Sequence, residues 1–215
     1  MIVMNEEFRD TLRKTLSERA PQRFSQEGAR DASVLIPIVS SPEPTLIFTI
    51  RTDTLPSHKG QISFPGGSTD PTDRSPIETA LRETQEEIGL DPAGVEVLGQ
   101  LDAFPTFVSG FVVTPVVGWL EPVPVLEPNP AEVAAILHVP VAELNDEIRS
   151  EAGFSHLDKT YPTEAWVWRD NVIWGVTARI VRSFLSLLSS AGLADPPAET
   201  DSWTGFPFPD SGRAS

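Results

Sequence analysis

The chain has no cysteine. Disulfides, zinc–thiolate centres and thiol nucleophiles are therefore excluded. It is also short of positive charge, with 16 Lys and Arg against 31 Asp and Glu and a formal net charge of −15. Binding a nucleic-acid duplex needs a basic face, so a duplex is not an expected partner. An anionic small molecule stays in play, because a bound metal ion can invert the local field. Apolar runs fall short of the roughly 18 residues of a membrane helix. The N-terminal MIVMNEEFRDTLRK lacks the basic-then-apolar order of a signal peptide. The expectation is a cytoplasmic protein with no membrane partner. His58, His138 and His156 are too scattered for a histidine metal site, and loop or core roles are expected for each.

What is present is enough for one substantial domain: 215 residues, of which 40% are hydrophobic. Residues 5–18 form an amphipathic pattern, with Asn5 as cap and Phe8, Leu12 and Leu16 as its stripe. SVLIPIVS (33–40) and PTLIFTIRT (44–52) flank a short SPEP turn and predict a hairpin, and GQISF (60–64) predicts a third strand. Further strands are expected at 94–104 and 111–120, then a Pro-rich connection at 121–130. Residues 131–144 predict a strand ending before Pro140 and a short helix. A hairpin turning at 169–171 and a helix over 176–192, closed by Gly192, complete the pattern. Trp166, Trp168 and Trp174 alternate as strand residues do, which favours packing over base stacking. The organisation expected is a helix and lead-in at 1–30, a main folded domain at 31–192 and a flexible, acidic, Pro-rich tail at 193–215. Trp203, Phe206 and Phe208 in that tail either dock on the domain or a partner, or stay solvated.

The stretch SPIETALRETQEEIGL (75–90) carries the chemistry. Ser75 is a good N-cap, Pro76 falls at the first helical position, and Glu78 completes a capping box. Ile77, Leu81, Thr84 and Ile88 form an inward stripe, and Gly89 sits where a left-handed C-cap belongs. A helix over 76–88 follows. Glu83, Glu86 and Glu87 then crowd one face, and like charges at that spacing repel. Arg82 reaches Glu86 at i+4 and Glu78 at i−4, which offsets part of the repulsion. Two readings stand: a solvated acidic face, or an oxygen-ligand site for a hard cation. The upstream FPGG (64–67) favours the second, since paired glycines let backbone approach a ligand.

GG followed by RETQEEIGL (82–90) resembles the signature of the Nudix hydrolases, Gly-x5-Glu-x7-Arg-Glu-U-x-Glu-Glu-x-Gly-U, with U a bulky apolar residue. The front half departs from it. Gly67 to Arg82 is one residue longer, and Arg74 stands where the signature has Glu, with Asp70 and Asp73 nearby. That longer form, with Asp-x-x-Asp-x-Ser before the helix, is similar to the coenzyme A pyrophosphatase branch. The branch's upstream motif is matched by Thr49, Arg51, Gly60 and FPGG, but Thr52 replaces a small Ser or Ala and Pro56 replaces a second Arg.

The resemblance implies an α+β Nudix fold, a mixed β-sheet sandwiched between helices in an α/β/α arrangement. It implies hydrolysis of coenzyme A or acyl-coenzyme A at the diphosphate bond, or of ADP-ribose or an NADH-type dinucleotide. A catalytically silent nucleotide-binding domain is the third alternative, disfavoured by the intact glutamate set. Glu83, Glu86 and Glu87 would hold Mg2+ or Mn2+. Arg82 would orient them rather than touch substrate. Glu132 is a further ligand, the base, or a plain surface carboxylate. Arg51 is a phosphate clamp or a surface strand residue, and Gly66 and Gly67 shape the substrate loop. A nucleoside diphosphate-linked small molecule is the implied partner, and a homodimer is left open.

Overall fold

A computed structural model of the chain describes residues 2–24, 27–52, 60–106, 109–156 and 159–197, without the side chains of 2–5 and 151–163. Helix α1 (Ile2–Ser17) buries Leu12 and Leu16. It begins ahead of Asn5, which therefore lies within the helix and does not cap it. Strands β1 (Arg30–Val39) and β2 (Thr45–Arg51) form the expected hairpin, with Ile38 opposite Leu46. β3 (Ile62–Ser63) pairs antiparallel with β2.

Gly66–Ser68 is a short strand, β4, which lies antiparallel along Ala32–Val34. Helix α2 (Pro76–Ile88) has the predicted bounds. The Ser75 hydroxyl accepts from the Glu78 N–H at 3.2 Å, and Gly89 takes φ 69°. The other half of the capping box is displaced by one residue, because Glu78 accepts from the N–H of Arg74 rather than that of Ser75.

β5 (Val95–Gln100), β6 (Phe104–Pro105) and β7 (Phe111–Leu120) follow, and β7 runs parallel to β1 from end to end. The Pro-rich connection at 121–130 forms no helix or strand. β8 (Val133–Pro140) runs through Pro140 onto β2, and only a 3-10 turn, Val141–Glu143, follows where a short helix was expected.

The main sheet is mixed, eight strands in all, with β3-β2-β1-β7-β5 as its spine. A second, antiparallel sheet was not foreseen as a separate unit. It joins β9 (Arg149–His156), β10 (Lys159–Trp168) and β11 (Asn171–Trp174). The polar β9 carries no apolar alternation to announce it. Helix α3 (Gly175–Ser190) closes on Gly192, where the Leu193 N–H reaches back to the Leu188 carbonyl at 2.8 Å. Trp166 and Trp168 are buried, as their alternation implies. His138 is exposed. His58 and the side chain of His156 lie outside the described residues, as do Pro56, Lys59 and the tail from 198.

Period-2 patterning divides the core between two faces. Ile36 and Ile38 of β1, with Val117 and Trp119 of β7, join Leu12, Leu16 and the α3 residues Ile180, Phe184 and Leu188. Leu35 and Val39, with Val116 and Leu120, face Ala80 and Ile88 of α2. The sheet is thus sandwiched as expected, with α2 alone on the face that carries the acidic cluster. No helix among the described residues is long and apolar enough to cross a membrane.

Because α1 packs into the same core as α3, Leu12→Ala should cost about 2–5 kcal/mol. Denaturant unfolding monitored by tryptophan fluorescence measures this. A loss below about 1 kcal/mol would show α1 to be peripheral to the cooperative unit.

Candidate functional site

Crowding α2 with glutamates requires positive or donor groups around them, and a backbone N–H and one arginine supply them. Glu87 is buried against β4, where its Oε2 accepts the Gly66 N–H at 3.2 Å. A side chain at Gly66 would strike the backbone of Ser33 and Val34, and its φ of 149° already favours glycine. A Cβ at Gly67 would lie 2.9 Å from Glu83 Oε1 and closer still to the rest of that carboxylate. The glycine pair therefore lets the helix carboxylates and β1 press on β4 from both sides.

Arg82 organises the other carboxylates. Its Nε and Nη2 donate to the two oxygens of Asp73 at 3.1 and 3.0 Å. Nη2 also donates to the Ser68 carbonyl at 3.0 Å. Nη1 lies 3.0 Å from Glu83 and 3.2 Å from Glu86. A guanidinium has five N–H donors, and all are engaged. Every contact of its guanidinium is thus with a protein acceptor. Its expected pairing with Glu78 is absent. Glu78 takes Arg74 instead, at 3.0 Å, while Asp73 occupies the guanidinium edge.

Sequence reasoning missed Asp73 as the key partner. Arg82 beside it holds its carboxyl well below the usual carboxylate range, with help from the Asp70 N–H and the Thr79 hydroxyl. The available signal was the longer spacing, which brings an acid nine positions before the arginine instead of eight.

Glu132 arrives from another direction. Asn129 donates its N–H to the Glu87 carbonyl at 2.8 Å, and Glu127 donates to the Ile88 carbonyl at 3.0 Å. These bonds satisfy the C-terminal carbonyls of α2 and fasten the 127–133 loop beside the cluster. Arg51, at the end of β2, is opposite Val133. Its buried Nε has no hydrogen-bond partner among the described residues.

The electrostatics confirm that these groups share one neighbourhood. Burial pushes the Glu87 carboxyl up to about 7; Gly66 opposes the push, Glu132 and Glu83 add to it, and Arg51 opposes it. Burial likewise raises Glu83, against the pull of Arg82. Glu86 is exposed. As the side chains stand, no three acidic or histidine groups among the described residues close into a cation cage, because Arg82 holds Glu83 and Glu86 and Gly66 holds Glu87. The donor set nevertheless fits a hard divalent cation: it is all oxygen, and the carboxylates lack enough positive charge to stay ionised together.

Residues 29–159 match the family model described as the NUDIX domain. A protein of Photorhabdus laumondii named "Uncharacterized Nudix hydrolase NudL" is 43% identical over 166 residues, covering 75% of this chain and 86% of that protein. A protein of the same name from Yersinia enterocolitica is 40% identical over 193 residues, covering 83% and 96%. Among solved structures, a MutT/nudix family protein from Enterococcus faecalis superposes with a TM-score of 0.56 at 14% identity, over 86% of this chain and 74% of that one. That last likeness concerns the fold alone.

Glu87 generates a pH prediction. The folded protein holds its proton up to about 7, whereas the unfolded chain releases it near 4.5. The folded state therefore loses stability as pH rises between those values, by roughly 3 kcal/mol. In chelator, Glu87→Gln should flatten the fall in melting temperature between pH 5 and 8, and Mg2+ or Mn2+ should offset it in the unsubstituted protein. Parallel melting curves for the two proteins would contradict this assignment.

The packing of Gly67 generates another. Gly67→Ala should leave the fold intact but displace the Glu83 carboxylate, weakening Mn2+ binding by about tenfold in a calorimetric titration.

Proposed function

The chain belongs to the Nudix hydrolase family, and on that premise we propose that it cleaves the diphosphate bond of coenzyme A or its acyl derivatives. The products are adenosine 3′,5′-bisphosphate and a 4′-phosphopantetheine. As a member of the family it is a hydrolase of nucleoside diphosphate-linked substrates. The observation that carries the finer reading is the Asp73–Arg82 pair. The second Asp of the branch-type Asp-x-x-Asp-x-Ser segment is the one that grips the signature arginine, so the longer spacing is a working variant and not a broken signature.

The roles follow from the site. A diphosphate resists water because its anionic oxygens repel a nucleophile; a divalent cation, Mg2+ or Mn2+, neutralises that charge and acidifies water when bound. Glu83, Glu86 and Glu87 are the carboxylates that hold it. Arg82 sets their positions, itself fixed by Asp73 and Ser68. Arg51 presents near Glu87 a buried Nε with no partner among the described residues, suited to a phosphate oxygen. Gly66 lets β4 lie against the backbone of β1, and Gly67 leaves room for the Glu83 carboxylate. Water adds to one phosphorus as the bridging P–O bond breaks, and a carboxylate takes the water's proton. Glu132, beside Glu87, serves as that acceptor or as a further ligand. One feature favours a second reading: Pro56 stands where the branch has a second arginine, which suits a less phosphorylated diphosphate such as ADP-ribose or a reduced dinucleotide.

Incubation with Mg2+ or Mn2+ and a panel of coenzyme A, acetyl-coenzyme A, ADP-ribose and NADH separates the readings. Coenzyme A or its acyl form should be turned over fastest, with activity rising on the alkaline side. Glu86→Gln should lower kcat about 100-fold, equivalent to roughly 3 kcal/mol of transition-state stabilisation. Preference for ADP-ribose would replace the substrate, and turnover indifferent to Glu86→Gln would remove the enzyme mechanism.

A further inference from the structure

The ladder between β2 and β8 breaks its register where it meets the site. Ile50 pairs with Ala135, but Arg51 pairs with Val133, so the strands slip between those residues. A bulge of this kind re-aims side chains and removes regular ladder bonds. The loop that carries Glu132 starts at that slip.

Two fastenings replace the lost ladder. On the α2 side, the N–H groups of Glu132 and Val133 both donate to the Asn129 carbonyl, at 3.0 and 2.8 Å, and Asn129 donates to Glu87. The Asn129 side chain also accepts from the Ala131 N–H at 3.1 Å. On the β2 side, Thr52 holds two successive carbonyls of the loop. Its N–H donates to Glu132 at 2.9 Å, and its hydroxyl donates to Ala131 at 3.2 Å. Thr52 is buried and directly follows Arg51. One residue thus ties the Glu132 peptide to the strand end that carries the candidate phosphate contact.

We propose that Thr52 is a positioning residue, whose hydroxyl holds the Ala131 carbonyl so that Glu132 stays near Glu87. On the β2 side the backbone bond alone is a single point of attachment; the hydroxyl supplies a second there, which with the Asn129 bonds fixes the direction of the Glu132 side chain. The inference rests on the placing of Glu132 in the hydrolytic site proposed above. It assigns to Thr52 no contact with substrate.

The experiment is a double-mutant cycle in the full chain: Thr52→Val, Glu132→Gln and the pair, with Thr52→Ser as the rescue variant. Valine keeps the volume and loses only the hydroxyl. Two readouts are taken, Mn2+ affinity by calorimetry and kcat on the best diphosphate substrate. Thr52→Val should weaken one or both by about five- to tenfold. Thr52→Ser should recover the unsubstituted value within about twofold, and Thr52→Val should add less than about twofold once Glu132 is Gln. A merely structural threonine would give effects that multiply with those of Glu132→Gln in both readouts, and that result, or no effect of Thr52→Val on either, overturns the proposal. If the protein binds Mn2+ but cleaves no diphosphate, the hydrolytic reading has failed and the Mn2+ cycle still decides the role of Thr52. If it does neither, both fall.

Discussion

One guanidinium sets the geometry of the acidic cluster. Arg82 spends every donor it has on four acceptors that come from three separate pieces of chain: Asp73 in the loop before α2, Ser68 on β4, and Glu83 and Glu86 on the helix itself. A planar, always-charged fork with fixed donor directions registers those pieces against one another in a way a lysine ammonium cannot. The loop's own bonds serve the same end. Asp70 accepts from Thr72, Asp73 accepts from the Asp70 N–H, and Thr79 donates to Asp73. Asp73 is thereby kept ionised and immobile, and Arg82 is aimed before any ligand arrives.

The helix bears this cluster at a cost that its ends offset. Like charges at i+3 and i+4 each cost a few tenths of a kcal/mol. The Ser75 cap contributes about 1 kcal/mol, and Gly89 closes the helix without strain. Local chemistry thus outweighs exposed repulsion. Burial is the larger charge. Glu87 sits in the interface with β4 holding a single backbone donor. The rigid frame that enforces this is the long parallel pairing of β1 with β7, onto which β4 and α2 are packed.

Much of this was legible in the sequence, and the division has a physical cause. The bounds of α2, its cap and its C-terminal glycine follow from rules that act within a few residues, so they could be read directly. The hairpin of β1 and β2 follows from two apolar, β-branched runs around a short turn, and the buried tryptophans of β10 follow from their alternation. What could not be read depends on contacts between distant segments. Two glycines carry no strand propensity, so β4 exists only because β1 offers it a pairing edge. Asp73 could be noticed as an acid out of place, but its hold on Arg82 needs the loop closed. Glu132 looked as much a surface carboxylate as a site residue. The loop that carries it is fastened by Asn129 and Thr52 largely through bonds to backbone groups, and such bonds leave little mark in side-chain pattern.

The distribution of charge bears on how such a site can hold a polyanion. The chain carries −15 overall, and the candidate site gathers four carboxylates. Screening at physiological salt confines these fields to about 8 Å, so the local balance decides. Of the two arginines at the cluster, Arg82 is saturated by protein acceptors and only Arg51 keeps a buried donor unpartnered among the described residues. One guanidinium cannot neutralise a diphosphate that approaches Glu83, Glu86, Glu87 and Glu132. The positive charge that makes the encounter favourable must therefore come mainly from the cation, which relieves the repulsion among the carboxylates and attracts the substrate in the same act. On the proposed function, substrate affinity and cation occupancy are linked quantities, and residues that position the carboxylates, Arg82 and Asp73 foremost, would govern substrate binding without touching it.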